Sequence, residues 1–402
     1  MTDFPNFRSR AFLLDHIDKA MAFYHPAALD PSGGFYNVFA NDGTVIDVRT
    51  RSLVSSCRFL FIHANAYRLF GRAENRDAAR HGLRFLIEQH RIPQSIGYRW
   101  QFDFEHGKRS REDNRNITYG FSFVVLAFAM ALKAGLNEAA GWLAEVVDLI
   151  ERRLYEPAHG LYADEASADW SAIRAYRGQN ANMHACEAML AAFEATGKTW
   201  YLDRADSIAQ AISIRQAALA PLDQVWEHFK PDWSLDADYN LNDHADGYRP
   251  WGYLAGHQTE WAKLLLMLDS HRAADWHVER ARSLFDRALA SVWDETHGGM
   301  FYSYGHDSRI YDDSKQQWVH AETIAAAAHL ATRTAEQRYW DWYDRLWRYI
   351  WPHFVDHEHG GWYRALKSDN SLATAERGIP EPDYHNMGAC AEILSLIDET
   401  SP

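Results

Sequence analysis

Six residues with hydrogen-bonding side chains, three of them histidines, recur along the chain at a nearly constant interval. At intervals of 61, 65, 73, 65 and 63 residues they are Arg58, Tyr119, His184, His257, Glu322 and His385. Histidine takes up and returns protons near neutral pH because its unperturbed pKa is about 6.5. A guanidinium or a second histidine can stabilise the charge that develops on a reacting oxygen. The set predicts general acid–base chemistry if the fold brings its members together.

Three of these residues have a companion that shares their face of a helix. The pairs are Asn180 with His184, His257 with Glu260, and Trp318 with Glu322. Side chains three or four residues apart are neighbours on a helix surface. Each residue also has a structural explanation: a hydrogen-bonded core histidine, a buried salt-bridge glutamate, a packing tryptophan, or an arginine paired with a carboxylate. We favour a functional site, because an apolar ring of helices should not repeat polar groups that cost free energy unless paired.

A glycine followed by aromatic residues marks a repeat in the chain. The glycines are Gly34, Gly97, Gly160, Gly299 and Gly361, at steps of 63, 63, 139 and 62 residues. The long step is a little over two periods, and the segment VWEHFKPDW at 225–233 fills the gap, so we count six units. Each unit contains one helix with a charged face and a second that is apolar nearly all round.

Twelve helices that alternate between outer and inner positions predict an all-α fold, the (α/α)6 barrel or toroid. We expect one domain over 1–402, with short β-hairpin loops at the active-site end. A linear helical solenoid is the alternative. The inner helices would all begin at the end where the glycine–aromatic turns gather. Helix starts offer free N–H groups to sugar oxygens, so we expect the site in the first two turns of the inner helices.

Composition narrows the class of protein. The chain has 402 residues, 55 acidic against 41 basic, and a formal charge of −14, which disfavours nucleic-acid binding. We find no run of 18 apolar residues and no secretory signal, and three cysteines give no disulfide framework. These features favour a cytoplasmic protein, monomeric or homodimeric, that acts on a small neutral or weakly charged molecule and binds neither membrane nor nucleic acid.

Cofactor motifs are missing from the sequence. No GxGxxG or phosphate-binding loop precedes a helix, and no GxSxG elbow occurs. His353, His357 and His359 could suggest a metal, but they fall at an outer-helix end and in a polar loop without a recognised ligand spacing. We expect neither a metal nor another cofactor.

Four ordered motifs carry a family resemblance over essentially the whole chain. RGQNANMHACEA (177–188), GHQTEW (256–261), WVHAE (318–322) and PDYHN (382–386) resemble the N-acylglucosamine 2-epimerase superfamily. That group includes cellobiose 2-epimerases, mannose isomerases and sulfoquinovose isomerases. The RGxNANMH form is most similar to the aldose–ketose isomerase branch, and the resemblance also implies the (α/α)6 barrel.

The resemblance assigns roles to the candidate residues. It implies that His257 and His385 are the general acid–base pair. It places Arg58, Asn180, His184, Glu260, Trp318 and Glu322 in contact with the sugar. Tyr119 and Trp362 are added to the sugar-binding set by their register in the repeat. We expect His385 to carry the proton between C2 and C1, and His257, oriented by Glu260, to serve ring opening or the oxygen protons. The reverse division is the alternative.

The resulting hypothesis is an aldose–ketose isomerase that interconverts D-mannose and D-fructose through a cis-enediolate, with D-lyxose and D-xylulose as a second pair. Glu381 and Asp383 would repel a sulfonate if they faced the cavity, which favours a neutral hexose over sulfoquinovose. A sugar 2-epimerase shares the same intermediate and is the main alternative. A glycoside hydrolase or lyase on the same toroid, with Glu260 and Glu322 as its acids, and a non-catalytic sugar-binding ring are further alternatives.

Overall fold

The computed structural model describes residues 4–93, 97–243, 246, 248–373 and 383–400. For residues 398–400 it describes the backbone only. These ranges contain twelve α-helices. They are α1 (Arg10–Tyr24), α2 (Leu53–Phe70), α3 (Ala73–Phe85), α4 (Thr118–Lys133), α5 (Ala139–Arg153), α6 (Gln179–Thr196), α7 (Thr199–Gln210), α8 (Ala255–His271), α9 (Asp275–Val292), α10 (Gln317–Thr334), α11 (Gln337–His353) and α12 (Tyr384–Thr400). Short π-helical turns at Leu86–His90 and Ala211–Gln216 extend α3 and α7.

The even-numbered helices form a closed inner ring. Each contacts the next, and α12 contacts α2. Helices α2, α4, α6, α8 and α10 each pack against the outer helix that follows them, and α12 packs against α1. A linear solenoid has no contact between its first and last units, so the expected (α/α)6 toroid is confirmed and the solenoid is wrong.

Short strands line the end of the barrel where the inner helices begin. They are β1 (Val38–Phe39), β2 (Val45–Asp47), β3 (Thr50–Ser52), β4 (Arg91–Ile92), β5 (Gly97–Tyr98), β6 (Gln101–Glu105), β7 (Lys108–Asp113), β8 (Asn116–Ile117), β9 (Tyr155–Glu156), β10 (Leu161–Tyr162), β11 (Glu165–Ala166), β12 (Arg177–Gly178), β13 (His228–Phe229), β14 (Tyr253–Leu254), β15 (Ser303–Tyr304), β16 (Ile310–Asp312), β17 (Lys315–Gln316) and β18 (Ala365–Leu366).

The strands join neighbouring units as well as forming hairpins. The strand that enters α2, α4, α6, α8 or α10 pairs antiparallel with a strand of the following unit, as β3–β6, β8–β11, β12–β13, β14–β15 and β17–β18. Hairpins within a unit also occur, for example β6–β7 and β15–β16. The pairs between units hold the starts of successive inner helices at one level.

The glycine–aromatic turns belong to the core rather than to a ligand surface. Gly34 has a φ of +72° and Gly299 a φ of +80°, which L side chains rarely adopt. A Cβ on Gly299 would also lie 2.3 Å from the ring of Tyr349. Phe35, which follows Gly34, is fully buried. The repeat seen in the sequence is therefore a packing device that returns the chain from each outer helix.

Polar side chains near the inner-helix starts clamp these turns. The Asn182 amide bonds the backbone N and O of Tyr162, and the Gln258 amide bonds those of Val225. The Nε2 of His320 accepts from the backbone N–H of Met300. These groups point away from the barrel axis, and they satisfy backbone groups that would otherwise be buried without partners.

The inner helices carry three buried cysteines. Cys57, Cys186 and Cys390 are free thiols on α2, α6 and α12. Among the described helices, none is long and apolar enough to cross a lipid bilayer.

Candidate active site

His257 lies in the first turn of α8 and is 5% exposed. Its Nδ1 is 2.9 Å from Oε1 of Glu227, just before β13. A carboxylate oxygen only accepts, so Nδ1 donates to Glu227, and Nε2 is the ring nitrogen left for a substrate. Gln179 donates to the other oxygen of Glu227 at 2.9 Å, and Trp261 donates to Gln179 at 2.7 Å. We call His257 and Glu227 the His257 pair.

The expectation that Glu260 orients His257 is therefore wrong. Glu260 lies one turn further along α8, where its Oε1 is 4.0 Å from Nδ1 of His184. The strand pair β12–β13 explains the difference. It places Gly178 opposite His228, so that the backbone N–H of Gln179 donates to the backbone oxygen of Glu227 at 3.1 Å and the acid arrives beside α8 from a loop.

His385 lies in the first turn of α12 and is 9% exposed. Its Nδ1 is 2.7 Å from Oε1 of Glu322, and Oε2 of Glu322 is 2.7 Å from Nζ of Lys263. Burial lowers the pKa of His385 to about 4, although Glu322 opposes the shift. Burial alone would raise the pKa of Glu322, but Lys263 and His385 lower it to about 2. His385 is therefore a neutral imidazole with Nε2 unprotonated; His385 and Glu322 form the His385 pair.

Trp318 brings the two pairs together. Its ring centroid is 5.1 Å from that of His257 and 5.7 Å from that of His385. Helices α8 and α12 are the two neighbours of α10, which carries Trp318, so the two histidines approach one indole from either side. A Cβ on Gly256 would lie 2.4 Å from the Trp318 ring, so glycine at this position lets the indole approach α8.

A second cluster lies deeper along the barrel axis. Nδ1 of His184 is 2.9 Å from Oε2 of Glu187, whose other oxygen accepts from the Tyr384 hydroxyl. Burial lowers the pKa of His184, against the opposing effect of Glu187. Glu260 is 1% exposed, and neither of its oxygens has a hydrogen-bond partner among the described residues. Burial, with Glu322 nearby, raises the pKa of Glu260 well above its usual value, which favours the neutral acid form of this carboxyl.

Arg58 and its neighbours form the remaining side of the site. Its Nη2 donates to the Tyr119 hydroxyl at 3.1 Å. The guanidinium lies 4.7 Å from the ring centroid of Phe123 and 4.9 Å from that of Tyr384. Asn180, in the first turn of α6, is half-buried, and its Oδ1 has no hydrogen-bond partner among the described residues. Arg58 thus supplies positive charge, and Asn180 an acceptor for a hydroxyl.

Trp362 is the one candidate that does not join the site. Its indole is 1% exposed, donates to Nε2 of His16 at 2.8 Å and contacts Trp347 and Phe354. It follows a turn glycine just as Phe35 does, so its position in the repeat is a core position. The assignment of Trp362 to sugar binding is wrong.

Of the two acids before His385, only Asp383 belongs to the described residues, and its carboxyl does not face the site. Asp383 is 1% exposed, and its Oδ2 accepts from the backbone N–H of Trp362 at 3.3 Å. Burial raises the pKa of Asp383 to about 7. The carboxyl thus points into the core and gives no argument against a sulfonated sugar. Glu381 lies outside the described residues.

One group of described residues has metal-ligand types within reach of one another. His184, Glu187 and Glu260 offer ligand atoms that all lie within 4.8 Å. Nδ1 of His184 and both oxygens of Glu187 already take part in hydrogen bonds with each other or with Tyr384. The donor set therefore fits a hydrogen-bond network better than a metal centre.

Sequence reasoning missed Glu227 and Lys263. Glu227 lies in the segment that was used only to complete the repeat, and its approach to α8 depends on a strand pairing that no local pattern encodes. Lys263 had a usable signal, because a lysine in the apolar stretch WAKLLLML of an inner helix requires a buried anionic partner. The helix starts agree with expectation only in part. Helices α4, α6, α8 and α10 have no side-chain capping hydrogen bond, but the N–H of the first residue of each donates to a backbone oxygen of the following unit.

Comparison with known proteins identifies the family. The family model for N-acylglucosamine 2-epimerase matches residues 33–389. The chain is 46% identical to a D-mannose isomerase of Marinomonas mediterranea over 98% of this chain and 99% of that protein. A crystal structure of D-mannose isomerase matches with a TM-score of 0.95 at 46% identity, covering 98% of this chain and 100% of that one. A cellobiose 2-epimerase from Spirochaeta thermophila shares the fold, with a TM-score of 0.83 at 22% identity and coverage of 98% and 99%. The chain therefore belongs to the N-acylglucosamine 2-epimerase family.

Proposed function

We propose that this protein is an aldose–ketose isomerase that interconverts D-mannose and D-fructose. The observation that carries the proposal is the presence of two histidines, each held by a glutamate on Nδ1, against the same indole. Each presents an Nε2 that can accept a proton. The similarity to D-mannose isomerases over nearly the whole chain supports this substrate pair.

The reaction moves one proton between carbons and one between oxygens. In the open-chain aldose, Nε2 of His385 takes the proton from C2, and the electron pair of that bond forms the C1–C2 double bond of a cis-enediolate. The same imidazolium then delivers its proton to C1 while the carbonyl forms at C2. Because burial lowers the pKa of His385 to about 4, its protonated form is a stronger acid than an ordinary imidazolium and returns the proton readily.

His257 serves the oxygens in this scheme. It transfers the proton between O2 and O1. When the closed ring opens, it takes the proton of the anomeric hydroxyl and delivers it to the ring oxygen, while the bond from C1 to the ring oxygen breaks. The Arg58 guanidinium stabilises the negative charge that develops on the enediolate oxygen. As a neutral acid, Glu260 can donate a hydrogen bond to a sugar oxygen, whereas a carboxylate could only accept one.

Heavy water provides the decisive experiment. Mannose converted in heavy water should give fructose with deuterium at C1 and none at C3, because the proton held by His385 exchanges with solvent. A hydride shift would carry the original C2 hydrogen across. Loss of turnover in His385→Asn separates a hydride shift from complete internal proton transfer. The assignment is overturned if fructose lacks deuterium and His385→Asn remains active.

The alternatives give different products in the same assay. A 2-epimerase would convert mannose in heavy water to glucose labelled at C2, and a hydrolase would release new reducing ends from an oligosaccharide. A panel of mannose, glucose, lyxose, cellobiose, N-acetylglucosamine and a sulfonated hexose identifies the substrate. Chelation followed by assay without nucleotide should leave the rate unchanged, and recovery with one added divalent ion would contradict the proposal.

A further inference from the structure

A buried lysine lies behind the His385 pair and has no part in the scheme above. Lys263 is on α8, three residues after Glu260, and is 3% exposed. Its Nζ is 2.7 Å from Oε2 of Glu322 and 3.5 Å from Oε1 of Glu392 on α12. Burying an ammonium is costly unless it is paired and hydrogen-bonded. Its retention in an apolar helix calls for a reason beyond packing.

The lysine completes a row of three charged or polar groups that ends at the reacting atoms. The two oxygens of Glu322 are divided between Nδ1 of His385 and Nζ of Lys263. Burial alone would lower the pKa of Lys263, but Glu322 and Glu392 raise it well above its usual value, so Lys263 is an ammonium. A carboxylate held in this way on both sides can serve His385 only as a hydrogen-bond acceptor.

The charges around this row come from five inner helices, α2, α6, α8, α10 and α12. Glu322, Glu392, Glu260 and Glu187 act on Lys263, while Glu322, Arg58 and His184 act on His385. In the buried centre, the cations Arg58 and Lys263 are balanced by the anions Glu187 and Glu322, with Glu260 neutral. Glu392 is partly exposed and, like Glu187, lines a cavity of about 250 Å³ toward the opposite end of the barrel.

We propose that Lys263 is a positioning residue that keeps Glu322 ionised as the acceptor for His385 Nδ1–H, and thereby keeps Nε2 of His385 free of a proton for the sugar. The proposal rests on the proposed function for its kinetic consequences only. The ionic contact between Lys263 and Glu322 acts through Glu322 and requires no contact between the lysine and substrate.

Removal of the ammonium should change the pH at which the His385 pair takes up a proton. Without Lys263, the negative charge of buried Glu322 is neutralised only by a proton shared with His385. The pair should then become protonated at a higher pH, by about one unit or more, since the loss of a neighbouring cation favours the protonated form. Protonation removes the base, so the acid limb of kcat/KM should move upward by the same amount.

Lys263→Met tests the kinetic consequence. We expect this upward shift of the acid limb, a lower kcat and little change in KM for mannose. Lys263→Arg keeps the positive charge, so the acid limb of its kcat/KM profile should stay at the wild-type pH. The matched control is Lys315→Met, because Lys315 is also fully buried but binds Asp294, Asn370 and two backbone oxygens. That control should lower the melting temperature and leave the pH profile unchanged.

Nuclear magnetic resonance tests the proposal without any substrate. In protein labelled with ¹⁵N-histidine, long-range correlation spectra report the tautomer and pKa of His385, with His385→Asn for assignment. Lys263→Met should raise that pKa, whereas Lys263→Arg and Lys315→Met should not. An unchanged His385 titration in folded Lys263→Met would overturn the proposal, as would an equal shift in Lys263→Arg. If mannose is not a substrate, the proposed function fails but this titration still decides the role of Lys263.

A paired substitution covers the case in which Lys263→Met does not fold. Lys263→Met with Glu322→Gln removes both buried charges together, and such pairs are tolerated better than one unpaired charge. His385 should then lack its anionic acceptor, so its pKa should fall below the wild-type value and kcat should fall on the order of 10²-fold. A wild-type rate and titration in this double variant would contradict the proposal.

Discussion

The His257 pair and the His385 pair have the same heavy-atom arrangement but different electrical surroundings. The described partners of Glu227 are Gln179 and His257, neither of which carries a permanent charge. Glu322 instead shares its charge between His385 and the Lys263 ammonium. Two histidines that are equivalent in the repeat can therefore have different proton affinities, because the partner behind each glutamate differs. This difference supports assigning one histidine to carbon and the other to oxygen.

The largest expected effect comes from removal of either imidazole. His257→Asn and His385→Asn should each reduce kcat by about 10² to 10⁴-fold, the usual contribution of a general acid–base group, while circular dichroism shows a folded protein. Steady-state assays with mannose provide the measurement. If either variant kept more than about a tenth of the wild-type kcat, that histidine would carry no essential proton, and the division of roles between the two pairs would be wrong.

The glutamates behind the histidines give the next effect. Glu227→Gln and Glu322→Gln should each lower kcat on the order of 10²-fold, because an amide no longer fixes the Nδ1–H tautomer. Only Glu322→Gln leaves a buried ammonium with weakened pairing, so it should also lower the free energy of unfolding by about 3 kcal/mol more than Glu227→Gln. Urea denaturation measures this quantity. Equal stability losses would show that the two pairs are electrically alike.

Glu260, in the deeper cluster beside His184, should act as a neutral acid. Glu260→Gln keeps a hydrogen-bond donor and should retain kcat within about tenfold, whereas Glu260→Ala should lose more. Because burial raises the pKa of Glu260, the acid form persists to a higher pH than in a free glutamate and is lost as the pH rises through that higher value. The wild-type rate should therefore decline at alkaline pH, and Glu260→Gln should lack that decline. If Glu260→Gln showed the same decline in rate at alkaline pH as the wild type, Glu260 would not be the neutral acid responsible for it.

The smallest effect concerns the indole shared by the two histidines. Gly256→Ala places a Cβ where the Trp318 ring now lies, so the ring must move away from α8 and His257. KM for mannose should rise several-fold, and the overpacking should cost about 1–3 kcal/mol of unfolding free energy. Ser270→Ala, a change on the exposed end of the same helix, is the control. An unchanged KM would indicate that Trp318 does not help to position the sugar.

The ring of helices could be predicted because the repeat period and the two helix types are both local patterns. The direction of each polar side chain on an inner helix was harder to predict. Asn182 and His184 are two residues apart on α6, yet one clamps a turn and the other faces the barrel axis. Trp362 was assigned wrongly to sugar binding, because an aromatic residue after a turn glycine can either pack in the core or contact a sugar, and the sequence does not distinguish the two. Glu227 was missed because its position depends on a strand pairing between units.

That pairing between units also bears on how the molecule unfolds. A linear array of repeats can lose one terminal repeat at a time, since each repeat contacts only its neighbours. In this ring, each strand that enters α2, α4, α6, α8 or α10 finds its hydrogen-bond partner in the following unit, and α1 packs against α12. Opening at any of these five joints therefore leaves both an unpaired strand and an uncovered helix. We expect a single cooperative thermal transition, with amide hydrogens of all six inner helices exchanging through the same global event.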